Sequence, residues 1–433
     1  MHSLEQLHRG ELAGITRLDL ACDLTEFPEA IFNLADTLEI LNLSGNQLSS
    51  LPADLPRLHK LRVLFCSDNN FTEVPAVLGQ CPQLEMVGFK ANQIRHLPAA
   101  ALPAKLRWLI LTDNQLEQLP EELGQCPRLQ KLMLAGNRLR ELPASLANCH
   151  NLELLRIAAN QLDALPQCLV QLPRLSWLAF AGNPFSDREE VLALTRYPHP
   201  PIARAQLVIG ELLGQGASGM IHRAQWSSPG QPSRAMAAKL FKGAVTSDGL
   251  PHSEMAACLA AGEHPNLIRV AGPLAEQADA PAGLLLELIE PSYQVLAGPP
   301  SLASCTRDQY PSERRFSLSE ALHIARGAAA AMSHLHAKGI LHGDLYGHNL
   351  LVNPDGDCLL SDFGAASFFA PHSALGAALQ RIEARAFGCL LEELLQRCTA
   401  DELEPLWQLQ RRCVSTNLGE RPDFAQILDL LDA

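Results

Sequence analysis

The 433-residue sequence predicts two parts of different class: an α/β solenoid of about eight 23-residue repeats, followed by an α+β domain. Three observations lead there. Asparagines recur at a nearly constant spacing through the first half, the period stops after Phe185, and beyond about Gln206 the pattern becomes strand–turn–strand and then helical. The expected organisation is a cap over residues 1–15, repeats over 16–185, a closing helix and proline-rich linker over 186–205, and the second domain over 206–433. A chain of this length exceeds one ordinary domain, and its 47% apolar content is enough for sizeable cores.

Asn46, Asn69, Asn92, Asn114, Asn137, Asn160 and Asn183 follow one another at spacings of 23, 23, 22, 23, 23 and 23. Each closes a pattern like Leu38, Leu41, Leu43, Asn46, and a Leu-Pro or Val-Pro pair follows five or six residues later, from Leu51-Pro52 to Leu165-Pro166. A degenerate first copy, with Asp23 in the asparagine place, makes eight. These residues identify leucine-rich repeats. One short strand per repeat joins a parallel sheet, Leu41 and Leu43 enter the stacked core, and the asparagine bonds backbone groups where the chain leaves the strand. Cys81, Cys126 and Cys149 each lie 12 residues after a repeat asparagine, where Leu58 lies in an earlier copy, and are expected to fill the core as small apolar groups.

The outward strand positions, six and four residues before each asparagine, carry Ile40, Val63, Phe65, Met86, Trp108, Ile110, Met133, Leu154 and Trp177. Solvent alone favours polar side chains on a concave face. The apolar stripe is therefore expected to bind a protein partner or substrate, the alternative being packing on the chain's own second domain.

After Asn183 a closing helix is expected over Asp187–Arg196, stopped by the prolines of Tyr197-Pro198-His199-Pro200-Pro201. A net charge of 34 − 47 = −13 argues against nucleic acid and anionic membrane as partners. No apolar run reaches the roughly 20 residues of a membrane helix, and the first residues lack the basic start and apolar run of a secretory signal. The 12 cysteines contain no CxxC pair, so neither a zinc framework nor a disulfide scaffold is indicated. The expected location is the cytoplasm.

In the second half, Gly214, Gln215, Gly216 and Gly219 form a GxGxxG turn followed by the aliphatic Ile221. The flanks are strand-like on both sides, which disfavours a dinucleotide site, and the glycines let backbone amides close over phosphates. Ala237 and Lys239 lie on a short apolar strand, where a lysine can neutralise phosphate. Glu254, in a helix expected over His252–Ala261, can pair with it. Residues from Leu284 through Glu287 to Ile289 read as a buried strand running into a connector. Asp344, then Asn349 five residues later and Asp362 eighteen residues later, supply a base and two oxygen ligands of the kind magnesium prefers. His334, His336 and His348 show no metal-ligand spacing and are expected to be structural.

Together these motifs resemble a protein-kinase domain over residues 206–433. The resemblance implies a small strand-rich lobe, a larger helical lobe and ATP between them. On that basis Gly214, Gln215, Gly216 and Gly219 cover the phosphates, and Glu254 holds Lys239. Ile221, Ala237 and Leu351 sandwich the adenine, whose edge bonds the backbone from Glu287 to Ile289. Asp344 orients and deprotonates the acceptor hydroxyl, and Asn349 and Asp362 hold Mg2+.

Four departures stand out. Gly343 replaces an arginine that commonly receives an activation-loop phosphate. Tyr346 stands where serine/threonine kinases usually carry a lysine near the transferred phosphate. Glu383, which resembles the start of a large-lobe helix with Glu for Asp, follows Asp362 by only 21 positions, with no Ala-Pro-Glu between. Arg421 lacks its expected glutamate partner. His342-Gly343-Asp344 also resembles the catalytic loop of aminoglycoside and choline kinases.

The leading expectation is an ATP- and Mg-dependent serine/threonine protein kinase whose repeats bind a partner or substrate. The alternatives are a repeat scaffold with a weak or inactive kinase fold, suggested by Tyr346 and the short segment, and a small-molecule phosphotransferase. Ser367 and Ser373 are candidate self-phosphorylation sites. If the repeats cover the cleft, deleting residues 1–185 is expected to raise activity.

Overall fold

The computed structural model describes residues 2–432 except 197, 198, 217, 229, 231, 244, 247 and 400–402; Tyr197 and Pro198 of the expected linker thus lie outside the described residues. The chain forms two compact units, Met1–Leu172 and Pro173–Ala433.

The first unit opens with a short helix, α1 (Leu4–His8), fixed by reciprocal bonds between Ser3 and Gln6. Seven three-residue strands follow, one per repeat: β1 (Arg17–Asp19), β2 (Ile40–Asn42), β3 (Val63–Phe65), β4 (Met86–Gly88), β5 (Trp108–Ile110), β6 (Lys131–Met133) and β7 (Leu154–Arg156). They pair parallel in chain order, Ile40 with Val63, Val63 with Met86 and Met86 with Trp108, so the sequence period is also the strand register. Leu41 and Leu43 are fully buried.

The asparagines tie each repeat to the one before. Asn46 donates from Nδ2 to the carbonyls of Leu20 and Leu43 at 2.8 Å, and its Oδ1 accepts from the amides of Cys22 and Leu24 at 3.0 Å. Asn69 and Asn137 reach back the same way to Leu43 and Leu111 at 2.9 Å. The residue just before the asparagine is left-handed, as glycine at Gly45 and Gly136 and as a non-glycine at Asp68 (φ 52°) and Asp113 (φ 56°). Cys81, Cys126 and Cys149 are buried like Leu58; burial pushes the Cys149 thiol up to about 12.

The concave stripe is less uniform than expected. Ile40, Phe65, Trp108, Ile110 and Met133 are half-buried, whereas Val63, Met86 and Leu154 are buried. Adjacent strands lie close enough for large side chains to cover one another. A Cβ at Gly88 would sit 2.6 Å from the Phe65 ring, so that ring lies across the glycine. Lys131 places Nζ 4.5 Å over the Trp108 ring, and Trp108 directs Nε1 to the Met133 sulfur at 3.4 Å.

The second unit begins inside the last repeat, with β8 (Trp177–Ala179) and then α2 (Pro184–Arg196). Ile202 joins the small lobe: its amide donates to Pro273 O, its carbonyl accepts from Ala275 N, and it lies in the same apolar cluster as Met236 and Leu285. That lobe is an antiparallel sheet of β9 (Leu207–Gln215), β10 (Gly219–Trp226), β11 (Arg234–Phe241), then α3 (Pro251–Ala261), β12 (Val270–Pro273) and β13 (Gly283–Glu287), in the order β12-β13-β11-β10-β9. A core of Phe241, Leu259 and Leu284 seats α3 on the sheet. β14 (Gln294–Val295) leads into the helical lobe. This comprises α4 (Leu318–Ala337), β15 (Ile340–Leu341), β16 (Leu350–Val352), β17 (Cys358–Leu360), β18 (Ser367–Phe368), α5 (Ala374–Leu395), α6 (Glu404–Cys413) and α7 (Phe424–Asp432).

Candidate catalytic site

Between the two lobes of the second unit lies a cavity of about 350 Å3 lined by Gln215, Gly216, Gly219, Ile221, Lys239, Glu254, Asn349 and Asp362, together with Cys258, Val295 and His348. The β9–β10 hairpin carries the glycine turn over it. At Gly219 only glycine fits, because a Cβ would meet the Leu240 carbonyl at 2.6 Å. Lys239 projects from β11 and bonds Glu254 of α3; their side chains are 12% and 1% exposed. Burial alone would disfavour the lysine charge, but the carboxylates of Glu254 and Asp362 outweigh it and hold the ammonium above its ordinary range.

Asp344 lies in the loop between β15 and β16. Asn349 Nδ2 bridges its carbonyl oxygen at 2.9 Å and its Oδ2 at 2.8 Å, which fixes the carboxylate. Asp362 has a left-handed backbone (φ 55°) and accepts the Gly364 amide at 3.1 Å. A non-glycine in this region carries local strain of about 1–3 kcal/mol, which the surrounding fold must offset. Below the loop, Glu383 accepts from Gly343 N at 2.6 Å, His342 N at 3.2 Å and His336 Nε2 at 2.7 Å. Glu383 is not at the start of a helix as expected. It lies in the middle of α5, because the short segment after Asp362 enters that helix already at Ala374.

Not every expected residue reaches the cavity. Ala237 is buried in β11, paired with Leu286, and Leu351 is half-buried in β16. Glu287 and Ile289 border an adjoining cavity, with Glu263, Arg269 and Asp357, that shares Leu267 and Ile268 with the first. β13 ends at Glu287, whose amide is taken by the Arg269 carbonyl at 2.9 Å. Two contributors went unread in the sequence. Cys258 sits one helical turn after Glu254, a spacing that could have revealed it. Asp308 accepts from the His348 amide at 2.9 Å and pairs with its Nδ1 at 2.7 Å, a contact across 40 residues that no local pattern announces. Burial is the largest influence on His348 and opposes its charge, yet the Asp308 bond and the charges of Asp308, Asp344 and Asp362 together outweigh it and raise its pKa. His334 bonds the Ala261 carbonyl at 2.7 Å.

The last repeat accounts for several departures. Trp177, expected on the partner-binding stripe, is 1% exposed. Its ring stacks on Tyr346 at 4.2 Å and 8°, and its Nε1 donates to the Leu345 carbonyl at 3.0 Å. Gly343 is left-handed (φ 76°), and a Cβ there would lie 2.4 Å from Ala365 O and 2.8 Å from Leu178 O, so no arginine fits. Arg421 donates to the carbonyls of Pro173 at 2.6 Å, Ser415 at 2.8 Å and Arg381 at 3.2 Å.

Ser367 is no phosphate acceptor in this fold. It is fully buried, and its Oγ accepts from the amides of Phe180 and Ala181 at 2.9 and 3.1 Å. Ser373 caps α5, accepting from Gly376 N at 2.9 Å. Ser367→Ala strands two buried amides and is expected to cost about 1–3 kcal/mol, seen as a lower urea midpoint. Phosphate mapped to Ser367 in the folded protein would contradict this placement.

Residues 207–382 match the family model described as protein tyrosine and serine/threonine kinase, and residues 127–185 and 37–58 match leucine-rich repeat models. The chain is a leucine-rich-repeat protein carrying a protein-kinase domain. That domain is similar to Ephrin type-B receptor 4 of Mus musculus, 29% identical over 167 residues, covering 38% of this chain and 16% of the receptor. It is also similar to Ephrin type-B receptor 5 of Gallus gallus, 30% identical over 162 residues, covering 37% and 15%. A protein of Arabidopsis thaliana named "Probable serine/threonine-protein kinase" is 27% identical over 110 residues, covering 25% and 17%. The kinase-domain chain therefore spans less than a fifth of the length of these relatives. No helix among the described residues is long and apolar enough to cross a membrane.

Proposed function

We propose that this chain is an ATP- and Mg-dependent protein kinase that phosphorylates serine or threonine hydroxyls, with the repeats recruiting a protein partner or substrate. The observation that carries the reading is the convergence of the Lys239–Glu254 pair, Asn349 and Asp362 on one cavity, with Asn349 also bonded to Asp344. The oxygen donors of Asn349 and Asp362 suit magnesium, and the buried Lys239 cation suits a phosphate. Bound magnesium would neutralise charge on the transferring phosphoryl group. Lys239 orients the phosphates, Glu254 holds Lys239, and Asp344 takes the hydroxyl proton as the acceptor oxygen bonds the γ-phosphorus and the bond from that phosphorus to the bridging oxygen breaks, ADP leaving with the electron pair. Tyr346 brings no cation to this centre, so turnover is expected to be slow. We place the protein in the cytoplasm, a compartment that keeps thiols such as the buried Cys66 and Cys149 reduced.

Intact mass spectrometry after incubation with Mg-ATP tests the activity, and site mapping tests the acceptor. Phosphoserine or phosphothreonine is the expected product. Phosphotyrosine would move the domain to the other acceptor class, and no phosphate on itself or on a protein substrate would favour an inactive scaffold.

For the repeats, the half-buried Phe65, Trp108, Ile110 and Met133 form the part of the stripe that suits a partner. Phe65→Ala with Trp108→Ala is expected to weaken partner capture by at least tenfold, in line with loss of aromatic anchors worth about 2 kcal/mol or more, with ATP binding unchanged. Equal capture by both proteins would return the stripe to a purely structural role.

A further inference from the structure

The loop bearing Asp344 is held from outside the kinase motifs by one strand of the last repeat. Trp177 donates to Leu345 O at 3.0 Å and covers Tyr346 face to face, and Tyr346 in turn packs at 4.9 Å, tilted by 33°, against His348, which lines the cavity. One residue on, the Leu178 carbonyl occupies the space that a side chain at position 343 would need. Farther along, the amides of Phe180 and Ala181 are bound by Ser367, whose strand pairs with Leu341 directly before the loop. At the other end, Ser176 Oγ accepts from Arg385 at 2.6 Å, two residues after Glu383, the carboxylate that holds the amides of His342 and Gly343. Gly343 and Leu345, on either side of Asp344, thus lie against this segment, and Tyr346 lies under the Trp177 ring.

We propose that Trp177 is a positioning residue for the catalytic centre, setting the conformation of the loop 342–349 through Leu345 and Tyr346. The inference rests on the kinase reading for its kinetic consequence but not for its structural one. A ring held flat against Tyr346 restricts that side chain, and the indole bond restricts the peptide one residue after Asp344; a pre-set carboxylate geometry raises the rate of transfer rather than nucleotide affinity. Trp177 does not itself line the cavity, so its effect is expected to fall mainly on transfer, reaching the nucleotide only through His348 and Asn349 of the loop it holds.

The test is hydrogen exchange and transfer kinetics on the full chain with Trp177→Ala and Trp177→Phe. In Trp177→Ala, exchange of the amides of 342–349 is expected to accelerate at least tenfold while β10, β11 and β13 keep their protection. kcat is expected to fall at least tenfold, with a smaller rise in KM for ATP because His348 and Asn349 of the loop line the cavity. Trp177→Phe keeps a stacking ring but loses the donor, and is expected to restore most of kcat with a smaller, still local, rise in exchange. Unchanged exchange of the loop in both variants overturns the proposal, as does a rise spread evenly over the helical lobe. If Trp177→Ala does not fold, the Phe variant decides alone. A wild-type chain with no transfer would sink the kinase reading, yet the exchange comparison would still decide whether Trp177 sets the loop.

Discussion

Asp344→Asn is expected to lower phosphoryl transfer by roughly 10²–10⁴-fold, the usual contribution of a positioned general base, with the fold intact. The substitution keeps the shape of the group that faces Asn349 and removes its negative charge and with it its capacity to take a proton. Asp362→Ala is expected to be at least as severe, because it removes a carboxylate from the same cavity that Lys239 and Asn349 line. Single-turnover phosphate incorporation, measured beside thermal melting, separates loss of chemistry from loss of fold. Transfer by Asp344→Asn at the wild-type rate would remove Asp344 from the mechanism, and undiminished transfer by Asp362→Ala would remove the metal assignment. Lys239→Met is a less clean probe, although it too is expected to abolish transfer. It leaves the 1%-exposed Glu254 side chain without its cation, and breaking a buried pair this way costs about 3–5 kcal/mol.

A chain beginning at Pro173 is expected to yield a more stable kinase domain than one beginning at Ser186, by more than about 3–5 kcal/mol, the scale of deleting one buried aromatic side chain. The shorter chain loses Trp177 and Phe180, both 1% exposed, the two amides that Ser367 binds, and the Pro173 carbonyl that receives Arg421. Arg421 would suffer twice, since burial and the neighbouring Arg385 already depress its pKa to about 10. Urea unfolding of the two chains compares them directly. Equal midpoints would mean that the last repeat contributes nothing to the domain. Cutting at residue 185, the place the end of the period suggests, would therefore confound any search for inhibition by the repeats.

The repeats were legible because their signal is periodic and local. An asparagine every 22 or 23 residues repeats the same kind of backbone bonds along the array, and the register of Ile40 against Val63 follows from counting. Lys239, Glu254, Asn349 and Asp362 were legible for another reason: their chemistry demands particular groups in a particular order, and the fold brings all four to one cavity. What escaped the sequence was contact between distant segments. Trp177 had the residue type and spacing of a binding-face position, and nothing local distinguishes it from Trp108; only the fold shows its ring lying on Tyr346, 169 residues later. Likewise Ser367 read as a candidate self-phosphorylation site until its partners, Phe180 and Ala181, were brought to it. At the connector, the buried strand predicted where side chains go but not that the Glu287 amide would be bonded to the Arg269 carbonyl.

Because the second unit starts at Pro173 rather than after the last copy, the seam between modules runs through the array. Interior copies are interchangeable in principle: Lys131 and Leu154 occupy the place of Trp177, and their strands pair with each other in the repeat register. Gene duplication or loss upstream of Pro173 would lengthen or shorten the array one turn at a time without redesigning the enzyme. The eighth copy has no such freedom. Shuffling it with any other would exchange a part of the kinase, so variation in array length is predicted to accumulate at one end only.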